Sequence, residues 1–62
     1  SERQLEALIL AVKQGYYEIP RKVPTEELAS RLAIGRRTFI EHLHKAENKI
    51  FRALVPLLMF QG

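Results

Sequence analysis

A chain of 62 residues with no cysteine makes one domain, and nothing in it can form a disulfide or a thiolate-bound metal. With 47% hydrophobic residues it is too apolar for a disordered segment. It has neither the ~20-residue apolar run of a membrane span nor the pattern of a signal peptide, so the expected location is cytoplasmic. A chain this short buries only about 60% of its unfolded surface, so helix packing or oligomerisation must supply its stability. The balance of 10 Lys+Arg against 7 Asp+Glu, net +3, fits a polyanionic partner, nucleic acid first among them. The chain begins with Ser1 rather than Met, and is expected to be one domain of a longer protein.

Ser1-Glu2-Arg3-Gln4 has the form of a capping box, which starts a first helix over roughly residues 2–14. Leu5, Leu8, Ile9, Val12 and Tyr16 recur at helical spacing and predict the buried stripe. Ala7 and Leu10 fall off that stripe, which leaves Leu10 exposed or touching a partner. Gly15 is the expected C-cap. Tyr16 to Pro24 holds two prolines and reads as a connector, with Ile19 and Val23 extended before Pro20 and Pro24. Tyr16, Ile19 and Val23 are expected to tuck under the helices. Arg21 and Lys22 are expected to stand away from the body, as solvated charge or as phosphate contacts.

Thr25 is a good N-cap for a second helix over about residues 26–33, and Glu26 and Glu27 suit its positive end. Glu27 and Arg31 are spaced as an i,i+4 ion pair, and Leu28, Ala29 and Leu32 form the buried stripe. The turn Ala33-Ile34-Gly35 follows, with Gly35 expected to supply flexibility where such turns often place glycine at the position of Ala33. From Arg36 no breaker occurs before Pro56, about 30 Å of helix at 1.5 Å per residue. That helix is expected to end near Leu54 or to kink there.

At 100° per residue, Phe39, Leu43, Ala46, Ile50, Ala53, Leu54 and Leu57 fall on one face of the third helix. Arg37, Glu41, His44 and Asn48 lie opposite, flanked by Ile40, Lys45 and Arg52. A short helix, a tight turn and a longer helix make a helix-turn-helix unit, whose second helix reads a DNA major groove. The fold class expected is all-α, a three- to four-helix bundle. The expected DNA-contacting residues are Arg36, Arg37, Ile40, Glu41, His44 and Lys45 on the reading helix, with Arg21, Lys22 and Thr25 before it. An arginine can bond guanine O6 and N7 together, Ile40 can meet a thymine methyl, and Glu41 can accept from cytosine N4 or pair with Lys45. His42 borders the apolar face and reads as structural.

Leu57, Leu58, Met59 and Phe60 end an apolar run that either folds back onto the first helix or packs against a second copy. Catalysis has little to work with. The chain has no Asp and no phosphate-cradling loop, and His42 and His44 point about 200° apart and cannot chelate one metal. No enzyme activity, cofactor or metal is therefore expected. The competing functional class is a protein-interaction and dimerisation module built on the same scaffold. A third possibility is a promoter-engaging factor that binds only within a polymerase complex.

Several stretches together carry a family resemblance: Ser1-Glu2-Arg3-Gln4, Gly15 to Lys22, Glu27-Leu28-Ala29, Thr38-Phe39-Ile40-Glu41-His42-Leu43 and Ala46-Glu47-Asn48-Lys49. Over about residues 1–54 the chain resembles the bacterio-opsin-activator-type helix-turn-helix domain of archaeal transcription regulators. The resemblance implies a sigma-region-4-like or LuxR-like helical domain, usually C-terminal to a domain that senses a signal. It also implies binding to double-stranded DNA with helix 36–52 as reader, and a homodimer fits a two-fold operator. The family tends to have glycine where Ala33 stands and serine or a similar cap at Gly35. Arg36 and Arg37 are particular to this sequence, so no target sequence carries over.

Overall fold

A computed structural model describes residues 2–61, with side chains placed as far as Met59, and three helices account for most of them. Helix α1 spans Glu2–Lys13, α2 spans Thr25–Arg31 and α3 spans Arg36–Gln61. The capping role expected of Ser1 lies outside the described residues. α1 and α2 both pack against α3. At 26 residues α3 is about 39 Å long by its rise, which matches the 40 Å longest dimension of the domain.

Two helices end in the same way, with different residues at the left-handed position. After α1, the Tyr16 N–H bonds the Ala11 carbonyl at 2.9 Å and the Gly15 N–H bonds that of Val12 at 3.3 Å. These are the two hydrogen bonds of a Schellman motif, and Gly15 has φ +84° as that motif requires. The site is also crowded, since a Cβ on Gly15 would come within 2.9 Å of the Lys22 Cβ. After α2, Ile34 N–H bonds the Ala29 carbonyl at 3.0 Å and Ala33 N–H bonds that of Ser30 at 3.0 Å, so the motif recurs with Ala33 at φ +58°. The expectation for this turn was reversed. Ala33 adopts the left-handed conformation itself, and Gly35 instead precedes α3, its carbonyl accepting the Phe39 N–H at 3.0 Å.

The core consists of Ala7, Ala11, Val23, Leu28, Ala29, Phe39 and Leu43, with Phe39 and Leu28 its largest fully buried side chains. Leu8, Leu10, Tyr16, Leu32 and Ile34 pack around it. On α3 the predicted face holds for Phe39, Leu43 and Ala46, which are buried, and for Ile50, which is half-buried. Beyond Ile50 it fails. Ala53, Leu54 and Leu57 are exposed because α3 has run past the helices that would cover it.

α1 turns inward only part of the stripe its large residues predict, with Leu8 and Tyr16 packed on the core. Ala7 and Ala11 are fully buried and Leu10 packs on the core, whereas Leu5, Ile9 and Val12 are about half-exposed. Two alanines let the backbone of α1 approach its neighbour closely, which a leucine stripe would prevent. Other expectations are corrected as well. Ile19 is 99% exposed rather than tucked under the helices. α2 ends at Arg31, and Thr25 is its first residue rather than its cap. α3 continues through Pro56 to Gln61, so the tail neither breaks at Leu54 nor folds back on α1. Proline costs one intrahelical hydrogen bond there, at an end of the helix that already faces solvent.

The left-handed alanine predicts a stabilising substitution. An L-residue there costs about 1–2 kcal/mol, and glycine returns roughly 0.4–1 kcal/mol of that through the unfolded chain. Ala33→Gly should therefore stabilise the domain by about 0.5–1 kcal/mol, raising the thermal midpoint by roughly 2–8 °C for a domain this small. An unchanged or lowered midpoint in a calorimetric melt would contradict the conformational argument.

Candidate nucleic-acid interface

The outward surface of the unit is built by burying the opposite side of α3. Phe39 meets the edge of the Tyr16 ring at 6.4 Å between centroids, and Leu43 and Ala46 follow it one and two turns on. With that face committed, Arg37, Glu41, His44, Lys45 and Asn48 are exposed on the other, Ile40 is half-buried at its border and His42 is half-buried. Arg37 takes part in no ion pair among the described residues, whose pairs are Glu27–Arg31 and Glu26–Arg36. Glu41 is in neither pair, so the bond to Lys45 suggested by their spacing is not formed.

Arg36 stands apart from Arg37. Its Nε lies 3.2 Å from Glu26 Oε2, which ties the start of α3 to the start of α2. The side chains are 59% and 69% exposed, so this pair contributes only ~0.2–1 kcal/mol and a polyanion can compete for the guanidinium. The expected Glu27–Arg31 pair is present at 3.2 Å and is similarly exposed.

The connector is organised on Tyr16. Its hydroxyl accepts from Thr25 Oγ1 at 3.2 Å, its ring lies edge-on to Phe39, and the Arg21 guanidinium sits 3.9 Å above that ring. Arg21 Nε also donates to the Tyr16 carbonyl at 3.1 Å. Arg21 is thus exposed but anchored, not held away from the body as expected. Lys22 is exposed, with its backbone N–H bonded to the Gly15 carbonyl at 3.0 Å. Thr25 is buried, and its hydroxyl is turned to Tyr16 rather than to solvent. Little of that residue is open to a ligand.

Three features of this surface were missed in the sequence. Glu26 is the partner of Arg36, and Tyr16 is the hub of the connector. The third is the Tyr17 hydroxyl, which donates to Glu47 Oε2 and pins the connector to the middle of α3. Burial, and then the Glu47 carboxylate, raise the Tyr17 pKa well above its ordinary value. These pairings link residues far apart in the chain, and no helical period signals them. A further cleft, lined by Gln4, His44, Lys45, Asn48, Lys49 and Arg52, extends basic surface along the distal part of α3.

A short helix, a Schellman turn and a longer helix with a basic outward face define a helix-turn-helix domain. The chain belongs to a family of helix-turn-helix DNA-binding domains of the bacterio-opsin-activator type: the family model, described as HTH DNA binding domain, matches residues 1–52. It is 42% identical over 55 residues to the transcriptional regulator NarO of Haloferax volcanii, across 89% of this chain and 26% of that protein. It is 36% identical over 52 residues to the dimethyl sulfoxide reductase transcriptional activator of the same organism, across 84% of this chain and 24% of that protein. To the bacterioopsin transcriptional activator of Halobacterium salinarum it is 38% identical over 53 residues, across 86% of this chain and 8% of that protein. The chain thus spans about a quarter of the first two proteins and under a tenth of the third. No solved structure matches it. Among the described residues, no helix is long and apolar enough to cross a membrane.

The bond between Tyr17 and Glu47 gives a local test. Tyr17→Phe removes a partly exposed hydrogen bond and should cost about 0.5–1.5 kcal/mol. The raised tyrosine pKa gives the sign of the pH effect, because the fold favours the neutral phenol. That stability is fully present below pH ~10 and lost above it. Denaturant melts across pH 8–11 should show the wild type losing stability at the alkaline end and Tyr17→Phe losing less.

Proposed function

We propose that the chain is the sequence-specific DNA-binding domain of a transcription regulator and that α3, from Arg36 to Arg52, is the helix that enters the major groove. The observation that carries this reading is the division of α3. Phe39, Leu43 and Ala46 are buried, which leaves Arg37, Glu41, His44 and Lys45 free on the opposite face within a family-matched domain. In such units the early residues of the second helix meet base edges while flanking cations meet phosphates.

Arg37 is the base reader in this account, placed for guanine O6 and N7, with Ile40 against a thymine methyl and Glu41 accepting from cytosine N4. His44 completes the reading surface. Arg36 is a second reader or a phosphate contact once Glu26 releases it. Lys45, Arg21 and Lys22 bind phosphates, and the stacking of Arg21 on Tyr16 lowers the entropy it loses on doing so. Thr25, buried and bonded to Tyr16, supports the connector rather than contacting DNA itself.

The working unit is a homodimer on a two-fold site, with half-sites one helical turn or a multiple of it apart. Leu57, Leu58 and Met59 support this reading, being exposed apolar side chains on the α3 extension; Phe60, whose side chain lies outside the described residues, belongs to the same run. Relatives roughly four times the length of the matched segment support an upstream sensing domain in the whole protein. A DNA target supports a cytoplasmic location for the protein.

Two substitutions separate reading from anchoring. Arg37→Ala should cost ~1–3 kcal/mol on the preferred duplex and relax discrimination at one base pair. An equal loss on all sequences would make Arg37 a phosphate contact instead. Lys45→Ala should weaken every duplex alike and reduce the slope of log K against log salt by about one. Fluorescence anisotropy with a panel of duplexes at several salt concentrations measures both. If the wild type bound no duplex even at low salt, the DNA reading would give way to the protein-interaction module.

A further inference from the structure

The domain leaves two apolar stripes uncovered. On α1, Leu5, Leu8, Ile9 and Val12 recur at i, i+3, i+4 and i+7, yet Leu5, Ile9 and Val12 are about half-exposed while Ala7 and Ala11 fill the core. On α3, Phe51, Leu54, Val55 and Leu58 repeat the same spacing, and each is 46–64% exposed. That spacing is the signature of a helix packed on another helix. α1 therefore carries two apolar faces, and the isolated domain uses the weaker one.

The stripes form one surface. Leu8 and Phe51 line one cleft, Leu5 and Ile50 line the next, and Ile50 belongs to both. The floors of the clefts are apolar, with Gln4 and Lys49 at the side of one and Tyr17 and Glu47 at the side of the other. By rotation at 100° per residue, Pro56 lies on the side of α3 away from its stripe. The missing proline N–H is therefore outside the seam, while Glu47, four residues before Phe51, lines the cleft of Leu8 and Phe51 with its carboxylate bonded by the Tyr17 hydroxyl.

We infer that this surface pairs with the same surface of a second copy, so that α1 and α3 of one chain and α1 and α3 of the other close a two-fold four-helix bundle. This deepens the homodimer proposed above by moving its centre from the helix tip to the two stripes.

Three observations select a second copy as the occupant. The first is area, since the exposed apolar side chains of α1 and the α3 extension amount to on the order of 800 Å² per chain, the size of a standard interface per partner. The second is charge. Glu2 and Glu6 edge the groove that holds Leu5 and Ile9, while Lys49 borders the cleft of Leu5 and Ile50 and Arg52 follows Phe51 at the start of the extension. Packing α1 of one copy on α3 of the other brings acid against base. The third is self-complementarity, because two adjacent helices with identical stripe spacing satisfy each other under one two-fold axis.

The 62-residue chain at tens of micromolar in a sedimentation-equilibrium experiment tests the pairing. The wild type should sediment at twice 7.2 kDa. Ile9→Glu and Leu58→Glu should each return the mass to that of one chain with helical circular dichroism kept, because both side chains face solvent in the single domain. Leu58→Glu lies on a segment that no other helix of the monomer covers, so it remains informative even if Ile9→Glu disturbs α1. A wild type that sediments as one chain overturns the proposal. So does a dimer that persists in Ile9→Glu, since pairing would then use the tail alone. A wild-type dimer that binds no duplex would end the DNA reading and leave the pairing standing.

Discussion

The fold depends on the burial of Phe39 between the other two helices. It is completely enclosed, with the Tyr16 ring at its edge and Leu28, Ala29 and Leu43 in the same cluster. A phenylalanine on the first turn and a half of α3 fixes the rotation of that helix about its own axis. Once the rotation is fixed, the 3.6-residue period decides what the opposite face shows, and it shows Arg37, Glu41 and His44. The same burial orders the connector. Tyr16 is held against Phe39, Thr25 donates to Tyr16, and Arg21 lies on the Tyr16 ring. One buried side chain thus positions both the proposed reading surface and the proposed phosphate contacts.

Much of this was legible in the sequence where punctuation and period agreed. Gly15, Pro20 and Pro24 separate the first two helices, and Phe39, Leu43, Ala46 and Ile50 mark the inward face of α3 without competition. The reading failed where two physical terms competed. On α1, hydrophobicity favoured Leu5, Ile9 and Val12, but close helix approach favoured Ala7 and Ala11, and close approach won. At the turn, glycine preference pointed to Gly35, while the hydrogen-bond geometry needed the left-handed residue two positions earlier, at Ala33. Pro56 pointed to an end or a kink of the helix near Leu54, and α3 does not end there. The site itself divides similarly. The α3 residues followed from periodicity, but the Arg36–Glu26 and Tyr17–Glu47 contacts and the burial of Thr25 are tertiary facts.

These departures bear on function. Had the leucine stripe of α1 been buried as expected, the domain would be nearly self-sufficient and its surface mostly polar. Instead it buries small residues, shows large ones, and carries a helix past its own core. A small domain built this way is stabilised by whatever covers those faces, and the proposed reading and pairing surfaces share α3. The family match ends at residue 52, close to where α3 leaves the body. The proposed reading residues therefore lie within the matched segment, and the end of α3 lies beyond it.

The central claim is that the outward face of α3 lies in a major groove. Guanine N7 opens into that groove, so its accessibility to methylation within a footprinted site tests the claim most directly. The account predicts protection of N7 within each half-site, lost at one guanine in Arg37→Ala. Bound DNA whose N7 positions all stay open to methylation, with protection confined to the minor groove or the sugar-phosphate backbone, would contradict it.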